Sequence, residues 1–101
     1  MNMKQRQHLS SVDDLQTLLK QRKLLQRFAI SRLGVFGSFA RNEPARDIDL
    51  LIEDDLTLEA ALQFKQCLEE EIDNSLDVML KSWANPIVLH RAMKDIRYVE
   101  E

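Results

Sequence analysis

The chain has 101 residues, 45% hydrophobic and 31% charged, with 14 basic against 17 acidic residues and a net charge of −3. That length suits one compact domain over residues 1–101, and the apolar share excludes global disorder. No apolar run reaches the roughly 18–20 residues that span a bilayer, and no basic excess marks a chain held to nucleic acid through phosphate contacts. A local basic patch remains in KQRK, residues 20–23, with Arg27 after it. The lone Cys67 excludes a disulfide framework and a cysteine-built zinc site. The polar start, MNMKQRQHLSSVDD, carries no apolar signal segment, so a cytoplasmic location away from membranes is expected.

In chain order, residues 11–29 read as a helix. Ser11 with Asp14 three residues on resembles a capping box, and Val12, Leu15, Leu18, Leu19, Leu25 and Ala29 fall on one broad face that Arg22 interrupts. Residues 30–36 read as a strand running into Gly37-Ser38. Residues 38–41 read as a helical turn, closed by the loop 42–44. Residues 47–53 read as a second strand. A helix is expected from Leu58 to Ile72, with Thr57 as N-cap and Leu58, Ala61, Leu62, Leu68 and Ile72 on one face. Lys65 interrupts that stripe, either snorkelling to water or facing a partner. The run Glu69-Glu70-Glu71 reads as a solvated helix end and Cys67 as a small buried or half-buried hydrophobe.

Residues 76–81 read as a third strand, and Trp83 after it is expected to pack on the sheet edge rather than to stack on a base. Asn85-Pro86 opens a last helix, with Leu89, Ala92, Met93 and Ile96 at helical spacing. The expected class is α/β (α+β), a small mixed sheet with helices packed on it. His8 and His90 have no ligand spacing to any other His or Cys.

The stretch from Gly34 to Glu53 carries the chemistry. Asp47 and Asp49 alternate along a strand, so both carboxylates leave one face while Ile48, Leu50 and Ile52 leave the other. Two carboxylates so close repel unless a cation or proton separates them, and a divalent metal with oxygen ligands is the usual answer. Gly37 lets backbone approach a ligand, the Ser38 hydroxyl can donate to a phosphate oxygen, and Arg41 one turn on can reach the same anion. Asp77, on a strand beside the first pair, completes a three-carboxylate cluster. Such a cluster can hold two metals or accept a proton from an attacking hydroxyl. Each piece taken alone is better served by a solvated acidic edge or a plain strand-to-helix corner.

Taken together, Gly37, Ser38, Ala40, Arg41, Asp47, Asp49 and Asp77 follow one order: Gly-Ser-x-Ala-Arg, then Asp-x-Asp on a strand, then a third Asp on a later strand. This constellation resembles the minimal nucleotidyltransferases (MNT) of the DNA polymerase beta superfamily, over most of the chain. Two positions depart from that pattern. Asn42 stands where the family usually has Gly, and tolerates the left-handed conformation a tight turn needs. Arg46 stands where the family usually has Ser; it contacts a nucleotide phosphate or pairs with Asp47, and the second arrangement weakens metal binding.

The resemblance implies the nucleotidyltransferase fold and transfer of a nucleoside monophosphate, AMP from ATP in the first place, to a hydroxyl. It implies Mg²⁺ in a two-metal site on Asp47, Asp49 and Asp77, which are also the catalytic residues, with nucleotide bound by Gly37, Ser38 and Arg41. Minimal members are commonly paired with a small helical HEPN protein, an RNase toxin that takes AMP on a tyrosine, so an antitoxin is implied. The alternative is a binding module that neutralises its partner by contact alone. The last helix and tail, with Ile87, Val88, Leu89, Met93, Ile96, Tyr98 and Val99, carry more apolar surface than one face needs, and Tyr98 and Val99 are the expected interface residues. An open sheet edge would allow a homo-oligomer.

Overall fold

The computed structural model describes residues 5–101, so the first four residues of the polar start lie outside the described residues. Helix α1 spans Val12–Arg22. The Ser11 hydroxyl accepts the Asp14 N–H at 3.2 Å, which meets one of the donors a helix start leaves open, and the Asp14 carboxylate accepts the Ser10 N–H just before the cap at 3.0 Å. The helix expected to reach residue 29 breaks at Lys23, which takes the left-handed conformation (φ 52°) and returns its N–H to the Lys20 carbonyl. A short helix α2, Leu24–Arg27, follows. The break restarts the apolar phase. Leu24 and Leu25 join Leu15, Leu18 and Leu19 in the core, and Arg22 is left at the seam, its Nε 3.4 Å from Glu71. Glu71 is therefore buried, and the acidic run 69–71 is not a wholly solvated helix end.

Four strands follow the break. β1 (Leu33–Phe36) leads into the single turn α3 (Gly37–Ala40), and β2 (Asp47–Ile52) pairs back antiparallel to β1. Helix α4 (Leu58–Glu69), capped by the Thr57 hydroxyl on the Ala60 N–H at 3.1 Å, carries the chain over to β3 (Ser75–Leu80). β3 lies parallel to β2, and such a pairing requires a crossover of this length. A 3₁₀ turn (Lys81–Trp83) and helix α5 (Pro86–Lys94) lead to β4 (Arg97–Val99), antiparallel to β1. The strand order is β3-β2-β1-β4, a mixed sheet.

β4 was not expected, and it corrects the reading of the tail. Val99 pairs with Leu33 and is 2% exposed, so its apolarity belongs to the core and not to an interface. Tyr98 is half-buried; its O–H donates to Glu53 at 3.2 Å and the Arg32 guanidinium stacks 3.7 Å over its ring.

One face of the sheet is closed by α1, α2 and α4 around Ile48, Leu50, Ile52, Leu33 and Val35, all fully buried. Each such side chain contributes about 1.5–3 kcal/mol of burial. Phe64 of α4 sits edge-on against Phe28 with ring centroids 5.6 Å apart. The buried Asn74 fixes the entry to β3. Its Oδ1 accepts the Leu9 N–H at 2.9 Å and its Nδ2 donates to the Leu9 carbonyl at 3.0 Å. Among the described residues, no helix is long and apolar enough to cross a membrane.

Candidate active site

The other face of the sheet is covered at one end only. At Gly34 an added Cβ would stand 2.6 Å from Ile96 Cδ1, so the missing side chain lets Ile96, just past α5, close over β1. Leu51 is buried beside it. The end of the face that carries Asp47, Asp49 and Asp77 has no such cover. Asp47 and Asp77 are exposed and Asp49 is half-buried.

Register brings the carboxylates together. Asp49 stands opposite Asp77 across the parallel β2–β3 ladder and opposite Phe36 across the β1–β2 ladder, and Asp47 precedes it by two residues on the same face. Among the described residues, no side-chain ion pair or hydrogen bond engages the carboxylates of Asp47, Asp49 or Asp77. Burial, then the negative charges of Asp77 and Asp47, push the Asp49 carboxyl above its ordinary pKa.

Gly37 completes this corner. It holds φ +73°, and a Cβ built there would overlap the Asp49 carboxylate. Only glycine meets both demands at once. The Ser38 hydroxyl at the start of α3 makes no hydrogen bond among the described residues, so it is available to a ligand. Asn42 closes the turn in the left-handed region (φ 61°), as its side chain permits.

Arg41 is differently placed from a free phosphate hook. Its Nε donates to Glu43 at 2.8 Å and its Nη1 to Asp95, the C-cap of α5, at 3.0 Å. Both contacts raise its pKa, and any phosphate must compete with two carboxylates of the protein. Arg46 makes no ion pair with Asp47; it lines a separate cavity of about 560 Å³ with His8, Asn42 and Pro44.

A groove of about 510 Å³ opens beside Asp49 and Asp77, walled by Leu58, Leu62 and Lys65 of α4 and by Met79 and Trp83. It corrects two expectations. Leu58 and Leu62 are half-exposed on the groove wall, because Phe64 takes their place on the buried face with Ala61 and Leu68. Trp83 does not pack down but stands 74% exposed. Lys65, read from sequence as snorkelling to water or facing a partner, lines the same groove as Asp49 and Asp77, a placement that pattern alone did not reveal.

Among the described residues no three His, Cys, Asp or Glu side chains form a ready metal cage. A hard divalent cation nonetheless fits the donor set. Mg²⁺ is commonly held by one or two carboxylates, with water and substrate phosphate completing its shell. Three mutually repelling, unpaired carboxylates against a glycine-only corner offer that partial shell.

A family model described as a nucleotidyltransferase domain matches residues 16–98. A Methanocaldococcus jannaschii protein named putative protein adenylyltransferase is 26% identical over 98 residues, covering 90% of this chain and all of that one. Protein adenylyltransferase MntA of Thermococcus cleftensis is 25% identical, covering 88% and 96%. Among solved structures, a mutant of the toxin-antitoxin MntA-HpeT superposes with a TM-score of 0.65 at 23% identity, over 79% of this chain and 68% of that one. A tri-AMPylated Shewanella oneidensis HEPN toxin in complex with MNT antitoxin gives a TM-score of 0.58 at 23% identity, over 82% and 70%.

Proposed function

The chain belongs to the nucleotidyltransferase family, and from this we infer that it moves AMP from ATP to a tyrosine hydroxyl of a small helical HEPN partner, as the antitoxin of that pair in the cytoplasm. The observation that carries this reading is the unpaired carboxylate trio of Asp47, Asp49 and Asp77 closed against Gly37. The relatives named protein adenylyltransferase support AMP as the group moved, and the AMPylated HEPN toxin in a neighbouring structure supports the class of acceptor.

In this mechanism Gly37 lets the triphosphate lie against bare backbone, and the free Ser38 hydroxyl donates to one of its terminal phosphate oxygens. Arg41 adds a further contact only if it leaves Glu43 or Asp95. Asp47 and Asp49 would hold Mg²⁺, with Asp77 as the third ligand in a two-metal arrangement. Bound there, the metal would neutralise charge on the triphosphate and polarise the α-phosphate. Asp77 orients the acceptor hydroxyl and takes its proton. The new bond joins the acceptor oxygen to the α-phosphorus, the bond to the bridging oxygen breaks, and pyrophosphate leaves with that electron pair. Rate acceleration comes from positioning and charge stabilisation rather than from covalent catalysis.

Intact-mass analysis of the chain with Mg²⁺, ATP and the product of the adjacent gene tests this. The expected result is a mass gain of one AMP on that partner, abolished when Asp47 and Asp49 are both changed to Asn. A stable complex with no mass gain from any NTP would replace catalysis by neutralisation through contact.

A further inference from the structure

We propose that the groove between β3 and α4 is the acceptor site, and that it takes an aromatic side chain bearing the acceptor hydroxyl, presented on a protein segment. This rests on the transfer reaction inferred above, and adds where the acceptor lies and which residues select it.

The argument is one of order across the sheet. Gly37 and Ser38, where the terminal phosphates are held, follow β1. Asp47 and Asp49 stand on β2, and Asp77 on β3. Phosphate cradle and third carboxylate are therefore two strand spacings apart, roughly 10 Å, with the α-phosphate between them. Displacement at phosphorus places the entering and leaving oxygens roughly in line on opposite sides. With pyrophosphate over β1, the entering oxygen arrives from the β3 side. The groove reaches that side: its lining runs from Phe36 on β1 past Asp49 and Asp77 to Val78, Met79 and Leu80 on β3 and to α4, and β3 is the outermost strand at that edge.

The walls specify what enters. Leu58, Leu62, Met79 and Trp83 are apolar, three of them large side chains left half or more exposed to water. They suit a flat apolar body and gain nothing from a serine or a sugar. Lys65 is the one cation among the lining residues and shares the groove with Asp77, so its charge favours the negative phenolic oxygen that forms as the proton passes to Asp77. About 510 Å³ holds an aromatic side chain with its neighbours, and the open groove admits it from a folded partner.

Trp83 is the only tryptophan of the chain, so its emission reports the groove directly. The test excites it at the red edge of indole absorption in the full chain. The titrants are an acetylated, amidated tripeptide with a central tyrosine, the same peptide with serine, and Mg²⁺ with AMP-PNP. The tyrosine peptide is expected to shift Trp83 emission saturably and the serine peptide and AMP-PNP to leave it unchanged. Leu62→Glu and, separately, Leu58→Glu, both at exposed positions, should weaken the tyrosine peptide by about tenfold or more. Their AMP-PNP affinity by calorimetry should stay within about twofold of the parent chain. A saturable Trp83 response to AMP-PNP, weakened by the same variants, would place the nucleobase in the groove and overturn the proposal. Silence of Trp83 toward the tyrosine peptide would overturn it too. The mass assay separates the two readings: AMP transfer with a silent Trp83 removes the groove alone. A responsive Trp83 without transfer removes the reaction and leaves an aromatic-segment site.

Discussion

The two ends of β2 both carry acids, and the protein treats them in opposite ways. At the far end Glu53 takes Arg32 at 3.1 Å, Lys81 at 3.7 Å and the Tyr98 hydroxyl at 3.2 Å. Next to it, both Asp54 carboxylate oxygens accept from Ser31, its N–H at 3.1 Å and its Oγ at 2.9 Å. At the near end Asp47 and Asp49 have no ion pair or hydrogen bond among the described residues, and the strand alongside adds the like charge of Asp77. Neutralised acids tie strands and tail together. Unneutralised ones store repulsion that only an incoming cation or proton relieves. That contrast separates structural charge from candidate functional charge inside eight residues of sequence.

The strongest way to break the comparison is Asp77→Asn. If Asp77 accepts the acceptor proton, transfer to the partner should fall by about 10²- to 10³-fold, the range of a lost general base. The variant should still bind AMP-PNP and melt no lower than the parent chain, because no partner is lost with the charge. Single-turnover transfer, calorimetry and a thermal melt read the three effects. Retained transfer would reduce Asp77 to a bystander on an open sheet face.

How much of this was visible beforehand follows from what each feature depends on. The alternation of Asp47 and Asp49 against Ile48, Leu50 and Ile52 is a property of the pleat, so it reads directly from sequence. The left-handed Asn42 was legible for the same local reason. The break at Lys23 was not, since neither lysine nor the flanking residues mark a left-handed turn; tertiary packing of Leu24 and Leu25 imposes it. β4 was hidden because Leu89, Ala92, Met93 and Ile96 keep helical spacing up to its edge, and three residues are too few to show a period of two. Lys65 and Trp83 needed the third dimension. Their meaning lies in sharing a groove with Asp77, and no spacing along the chain encodes that.

The opposite end of the comparison predicts stability without activity. Glu53→Gln keeps the shape but removes the charge that Arg32 and Lys81 face and weakens the contact with Tyr98. Loss of a charge-assisted, largely buried partner should cost about 1 kcal/mol, or roughly 4–8 °C of melting temperature in a domain this small. AMP-PNP affinity and transfer to the partner should not move. If transfer fell in step with the melting temperature, the two ends of β2 would be coupled and the division between them wrong.

The smallest effect has an unusual sign. The folded chain pushes the Asp49 carboxyl above its ordinary pKa, chiefly by burial and then by Asp77 and Asp47. A raised folded-state value means that the unfolded chain releases this proton more readily. The contribution of protonated Asp49 is therefore complete below the unfolded pKa and is lost as pH rises through the folded one. At neutral pH the ionised carboxylate destabilises the fold, so Asp49→Asn should raise the melting temperature there. That gain should shrink to nothing at pH values below the unfolded carboxylate pKa, near 4, where Asp49 is neutral in both states. Mg²⁺ should stabilise the parent chain at neutral pH and leave Asp49→Asn almost unmoved, since the variant has lost the repulsion that the cation relieves. Melting curves of both chains at acid and neutral pH, with and without Mg²⁺, measure all of this. A lower melting temperature for Asp49→Asn at neutral pH would mean that Asp49 holds the fold together as Glu53 does, and the contrast between the two ends of β2 would be lost.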